Sequence, residues 1–201
     1  LSSKTFWLFA VMMLCAGASE QAMSQWASAF AESGLGISKT MGDLFGPCLF
    51  AVLMGVARVL YARFGAGLNA PLTIACSCAL CVVSYLLAAL SPIPELGLVG
   101  CALCGLSVGI FWPATFSLAI GRMPKGGTAL FAILSLGGDV GCTVGPTLVG
   151  LVSDARGGEL STGLLFAMIF PIVLAICSVL LLVISRKKPS TDLPELSGQN
   201  D

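Results

Sequence analysis

The chain has 201 residues and no histidine among them. That removes the commonest general base and the commonest metal ligand at neutral pH, and with them any hydrolase built on a Ser–His pair. Charge is scarce as well. Asp, Glu, Lys and Arg make up 10% of the chain, against about 25% in an average soluble domain. There is no basic block and the formal net charge is +0, so no nucleic-acid partner is expected. No G-x-x-x-x-G-K-[ST] loop is present to cradle phosphates, no cofactor is called for, and no paired catalytic motif points to an enzyme. Nor does a basic n-region with a small-residue cleavage site mark a signal peptide. The first residue is Leu1 rather than Met, which raises the expectation that a longer protein supplies a preceding N-terminal part.

What the chain has in excess is apolar surface. Hydrophobic residues make up 57% and the mean hydropathy is +0.98. A water-soluble fold of this length leaves roughly 30% of its chain surface exposed, and it has too few polar groups to cover that area. The bilayer is therefore the expected solvent. Crossing about 30 Å of hydrocarbon takes about 20 apolar helical residues. Six stretches qualify, at residues 5–31, 41–61, 69–91, 96–120, 128–152 and 162–185. Gly/Ser-rich, Gly/Pro-rich or charged segments separate them, including Ser91-Pro92-Ile93-Pro94. The expected fold is an all-α polytopic bundle over 1–188, followed by a disordered cytoplasmic tail at 189–201.

Six spans put both termini on one side. That side collects Lys4, Arg58, Arg63, Arg122, Lys125, Arg186, Lys187 and Lys188, while the other holds Lys39 and Arg156. The positive-inside rule then makes both termini cytoplasmic. The expected location is the plasma (inner) membrane.

Two acids, Glu20 and Asp139, fall at membrane depth. Each costs about 2.5–3.5 kcal/mol if charged and bare, so each needs a partner, a proton or water. Glu20, Gln21, Ser24, Gln25 and Ser28 occupy about 140° of the first helix. They form one polar stripe, readable either as interhelical hydrogen bonding or as the wall of a hydrated solute and proton path. On the fifth helix Asp139 shares a side with Ser135, Cys142 and Thr143. Gly137, Gly141 and Gly145 recur at four-residue spacing on the opposite side, a small-residue ridge for close packing. Gly105 and Gly109 form a second such pair before Pro113. Pro113, Pro146 and Pro171 each remove a backbone donor and invite a kink. Trp7, Trp26 and Trp112 are candidate interfacial anchors, with Trp26 alternatively bordering the polar stripe.

One motif misleads. Cys78-x-x-Cys81 and Cys101-x-x-Cys104 have zinc-ribbon spacing. They lie within apolar helices, where thiolates are unfavourable, so they read as small packing residues rather than metal ligands or disulfide partners.

Gly55-x-x-Arg58 followed by Ala62-Arg63-Phe64-Gly65 is similar to the cytoplasmic loop motif G-x-x-x-D-R-x-G-R of the major facilitator superfamily, with Ala62 in place of the aspartate. Gly145-Pro146-x-Leu148-x-Gly150-x-x-x-Asp154 resembles the end of that family's eleventh helix, and Gly105 to Pro113 its glycine-rich tenth. Over residues 5–188 the chain resembles a C-terminal six-helix half. The resemblance implies helices seven to twelve arranged as two three-helix inverted repeats. The first, second, fourth and fifth helices would line a cavity completed by an N-terminal half, with the third and sixth peripheral. The function implied is secondary transport by a permease, moving a small polar organic solute by alternating access, with a proton as candidate coupling ion in a symporter. A six-helix substrate-binding subunit of a multi-component importer is the alternative.

Overall fold

The computed structural model describes residues 4–34, 36 and 38–186, so the tail expected at 189–201 lies outside the described residues. Six helices are long and apolar enough to cross a bilayer: α1 (Lys4–Glu32), α2 (Lys39–Gly67), α3 (Ala70–Leu90), α4 (Glu95–Arg122), α5 (Pro124–Ala155) and α6 (Leu160–Ile184). Among the described residues there is no strand. All six expected spans exist, and several run past their apolar stretches. α2 continues six residues beyond Tyr61 to Gly67, because Ala62-Arg63-Phe64 carry the helix on and Arg63 sits favourably in its last turn.

Turn chemistry fixes the breaks between spans. Gly67-Leu68-Asn69 ends α2, and the Asn69 side chain accepts from the Leu72 amide at 3.2 Å to start α3, with Pro71 in the first turn. Gly127 at φ 53° turns the chain as α5 begins. Gly157 and Gly158, at φ 76° and 91°, do so between α5 and α6.

The prolines act unequally. Pro113 leaves the Gly109 carbonyl without its amide, and the helix breaks at Gly109-Ile110 between Pro94–Val108 and Phe111–Arg122. Pro171 does the same for Ala167, and α6 is interrupted at Met168. Pro146 stands inside Gly127–Ala155, which runs through it without a break in the helix. Two π-helical segments, Phe30–Gly34 ending α1 and Leu44–Cys48 around Pro47 in α2, have no counterpart in the sequence reading. Each packs on an α-helical stretch of the other span, with Ala31 of the first against Gly42 and Gly46 of the second against Ala27.

α1 is the most buried span. It lies along α5, and α2 lies along α4 in a second long seam. α3 and α6 pack together behind these four helices, tied by the buried Ser178 hydroxyl donating to the Pro71 carbonyl at 2.5 Å. The Tyr85 hydroxyl on α3 donates to the Ser19 carbonyl of α1 at 2.9 Å. Exchanging α1 with α4, α2 with α5 and α3 with α6 maps the α1–α5 seam onto α4–α2 and the α1–α6 contact onto α4–α3. This is the packing an inverted repeat requires. The exchange is imperfect, since α5 packs on the first segment of α6 without an α2–α3 contact of similar extent.

Glycine makes both seams close. A methyl group on Gly141 would overlap the Leu14 carbonyl of α1, and one on Gly145 the Ala18 carbonyl. In the other seam, methyls on Gly105 and Gly109 would overlap the Phe50 and Met54 carbonyls of α2. Gly137 is only loosely seated, 3.5 Å from the Ala10 carbonyl. The third seam position is Gly138, which the four-residue spacing does not single out. It abuts Gly17 of α1 on one side and the Trp112 ring of α4 on the other.

Candidate functional site

The polar stripe of α1 divides between two neighbours. Glu20 turns toward α2, where the Arg58 Nη2 donates to both of its carboxylate oxygens at 3.4 Å. Ser28, two turns further on, donates to the Asp43 carboxylate of α2. Gln25 turns toward α5. With Trp26, Cys142, Thr143, Pro146 and Thr147 it lines a cavity of about 410 Å³. Gln21 and Ser24 are half-buried and have no protein hydrogen-bond partner among the described residues.

The ion pair corrects the expectation for Arg58. Gly55 and Arg58 lie in the body of α2, Arg63 in its last turn and Gly65 in the 3₁₀ turn that ends it; none of the four lies in an open loop. Arg58 is nine residues short of Gly67, or about 13 Å from the end of the helix at 1.5 Å per residue. Glu20 stands near the middle of α1, about 24 Å from Lys4 on the same measure. An arginine at this depth normally extends toward the nearer interface. This one points inward to a carboxylate, and each charge offsets much of the other's desolvation cost. The pair is unequal in exposure, with 45% of the Arg58 side chain accessible and 13% of Glu20.

Arg58 opens onto a cavity of about 800 Å³ between α2 and α4, whose walls include Tyr61, Trp112, Pro113, Phe116 and Ser117. The aromatic wall continues onto α5. Trp112 and Phe116 centroids are 6.2 Å apart, and Phe116 stacks on Phe131 at 5.0 Å. Trp112 is therefore no interfacial anchor, since its ring is held against Gly138. Among the described residues its buried Nε1 has no acceptor, and the buried hydroxyl of Thr115 one turn away has no partner. Trp26 is likewise tied within the bundle, its Nε1 donating to the Pro146 carbonyl at 3.0 Å. Trp7 alone stays well exposed, at 61%.

On α5, Asp139 and Thr143 are exposed on the six-helix unit and Ser135 is half-buried. The Thr143 hydroxyl bonds back to the Asp139 carbonyl at 3.3 Å and Thr147 to that of Thr143 at 2.7 Å, so these threonines keep acceptor capacity outward. Cys142 lies within electrostatic reach of both Glu20 and Asp139. The zinc-like cysteines pack α3 against α4, with Cys81 and Cys104 Sγ atoms 4.0 Å apart in a fully buried seam. One face thus joins α1, α2, α4 and α5 and carries an ion pair, an aromatic cavity and a hydroxyl row. A family model described as Major Facilitator Superfamily matches residues 49–199, which spans α2 to α6. The chain belongs to the Major Facilitator Superfamily. It is a multi-pass membrane protein of a family whose members are transporters. The matched segment contains Arg58 and the aromatic wall, whereas Glu20 precedes it. Searches of curated proteins and of solved structures each returned no match.

Proposed function

We propose that this chain is the half corresponding to helices seven to twelve of a Major Facilitator Superfamily secondary transporter, and that a small polar organic solute crosses between it and a second six-helix unit by alternating access. The observation that carries this reading is the Glu20–Arg58 pair at membrane depth, 45% open on its arginine side and bordering a cavity of about 800 Å³. Hydrocarbon cannot solvate a half-open guanidinium, so that cavity holds water or solute in the working protein. Seams closed by glycine rather than by interlocking side chains suit rigid helices that rock as blocks.

Glu20, Gln21, Ser24, Gln25 and Ser28 on α1 and Ser135, Asp139 and Thr143 on α5 form the solute and proton pathway in this reading. The solute and proton are its partners besides lipid, with nucleic acid and catalysis outside its function. Asp139 has no basic partner in the six-helix unit among the described residues, and it faces the passage as a carrier of the coupling proton in a symporter. In this reading the ends bearing Lys4, Arg63, Arg122 and Lys125 face the cytoplasm, with both termini inside, and the membrane is the plasma (inner) membrane.

The test is uptake into inside-out and right-side-out vesicles from cells expressing the chain together with its second six-helix unit, using labelled sugars, amino acids and carboxylates under an imposed pH gradient. Saturable, gradient-driven movement of one class, lost in Arg58→Gln, is the expected result. Absence of movement for every class in both vesicle orientations contradicts the reading. Full proton-driven uptake in both Glu20→Gln and Asp139→Asn removes the proton-coupling part alone.

A further inference from the structure

The geometry points to Arg58 as the anchor for a solute carboxylate whose apolar, planar body lies along Tyr61, Trp112 and Phe116, with Glu20 as the built-in carboxylate that occupies the anchor when solute is absent. The proposal names the solute class for the transport reading above and rests on it.

Three observations combine. First, the ion pair uses one guanidinium nitrogen for both carboxylate oxygens, each contact at the long distance of 3.4 Å. Arginine carries five N–H donors in a flat fork. Nε and Nη1, with three of the five, have no protein acceptor among the described residues. Arginine–carboxylate pairs frequently present two nitrogens to two oxygens at a shorter separation. Here the paired edge is weakly engaged and the rest of the fork is open.

Second, Arg58 lines the larger of the two cavities that adjoin the central face, about 800 Å³. That volume falls in the range of sites for small organic molecules. Its wall is aromatic on the α4 side, and the buried Trp112 Nε1 has no acceptor among the described residues. A neutral polyol would find few acceptors on such a wall. A flat apolar body would gain contact with the rings and leave its carboxylate on the fork.

Third, the competitor is already in place. Glu20 is 13% exposed and bound by this one cation. An incoming carboxylate reproduces the interaction that Glu20 makes and adds the bidentate contact that Glu20 does not reach. Removing the Glu20 charge therefore frees the anchor and tightens binding, whereas damage to a structural ion pair weakens it.

The experiment is a tryptophan-fluorescence titration of the full chain in detergent at pH 7.4, with benzoate and phenylacetate as probes and benzamide and phenylacetamide as their neutral isosteres. The acids quench saturably, and the amides bind at least about 10-fold more weakly, a difference of about 1.4 kcal/mol. Arg58→Gln loses at least 10-fold in acid affinity, Arg58→Lys loses less, and Glu20→Gln gains at least about threefold. Amides binding as tightly as acids, no saturable quenching by either acid, or weakened acid binding in Glu20→Gln would each overturn the assignment. None of these touches the transport reading, which stands or falls on gradient-driven vesicle uptake of any class. If Arg58→Gln fails to fold, as judged by its elution profile, Arg58→Lys and Glu20→Gln decide the question.

Discussion

Two glycine-to-alanine replacements separate the glycines that close a seam from those that merely occupy a helix. Gly141 and Gly55 both sit inside helices, in α5 and α2. In each, alanine gains about 1 kcal/mol of helix propensity because the unfolded chain loses less freedom. At Gly55 nothing lies within 4 Å of the added methyl, so Gly55→Ala is expected to stabilise the chain by up to about 1 kcal/mol. At Gly141 the methyl would fall on the Leu14 carbonyl, with the Leu14 carbonyl carbon at 2.8 Å and the Ala18 amide nitrogen at 3.0 Å. All three obstacles are backbone, so no side chain can swing aside. The helices must separate, at an overpacking cost of about 1–3 kcal/mol, and the tight fit along the whole seam loosens with them. The net for Gly141→Ala is a loss of up to about 2 kcal/mol, and the two variants should differ by about 1–3 kcal/mol. Unfolding of the full chain by sodium dodecyl sulfate in mixed micelles, followed by tryptophan fluorescence, reads that difference. Equal midpoints for the two variants, or a higher midpoint for Gly141→Ala, would refute the seam as described.

Other consequences are narrower. Trp26→Phe removes the 3.0 Å bond to the Pro146 carbonyl and should lower stability by about 0.5–1.5 kcal/mol in the same unfolding assay. Tyr85→Phe strips the buried Ser19 carbonyl of its cross-helix donor and should cost about 1–3 kcal/mol there. Arg58→Gln should abolish uptake and lower stability, because it leaves Glu20 without its cation; the swap Glu20→Arg with Arg58→Glu should recover part of the stability that either single change loses. A cysteine at Arg156 should react with an impermeant maleimide applied to intact cells and one at Lys125 should not; the opposite pattern would invert the proposed orientation.

The six spans are legible because hydropathy over about 20 residues is the only requirement the bilayer imposes on a crossing helix. The close approach of α5 to another backbone is legible too, since Gly141 and Gly145 leave little else for a helix face to do. Its partner is not, because small residues on one helix do not state whose carbonyl they meet. Gly138 escapes for a related reason. It breaks the four-residue rhythm and is needed where a third element, the Trp112 ring, wedges in. Arg58 reads from the sequence as the cytoplasmic end of the second span because charge near the end of an apolar run ordinarily marks the interface. Its inward turn depends on Glu20 standing 38 residues earlier, a pairing that no local pattern reports. The π-helical segments lie where α1 and α2 pack at Ala27, Ala31, Gly42 and Gly46, and no local sequence pattern announces them.

Whether water reaches the α2–α4 cavity in the membrane is the question on which the transport account turns. A cysteine at Ser117, exposed on that cavity, should react with a permanently charged methanethiosulfonate in membranes open to the cytoplasmic side, because a hydrated thiol can ionise. A cysteine at Val179, exposed on the outer side of α6, should stay unreactive in lipid. Reaction at Ser117 but not at Val179 is the predicted result; a Ser117 cysteine as inert as the lipid-facing one would contradict the hydrated passage.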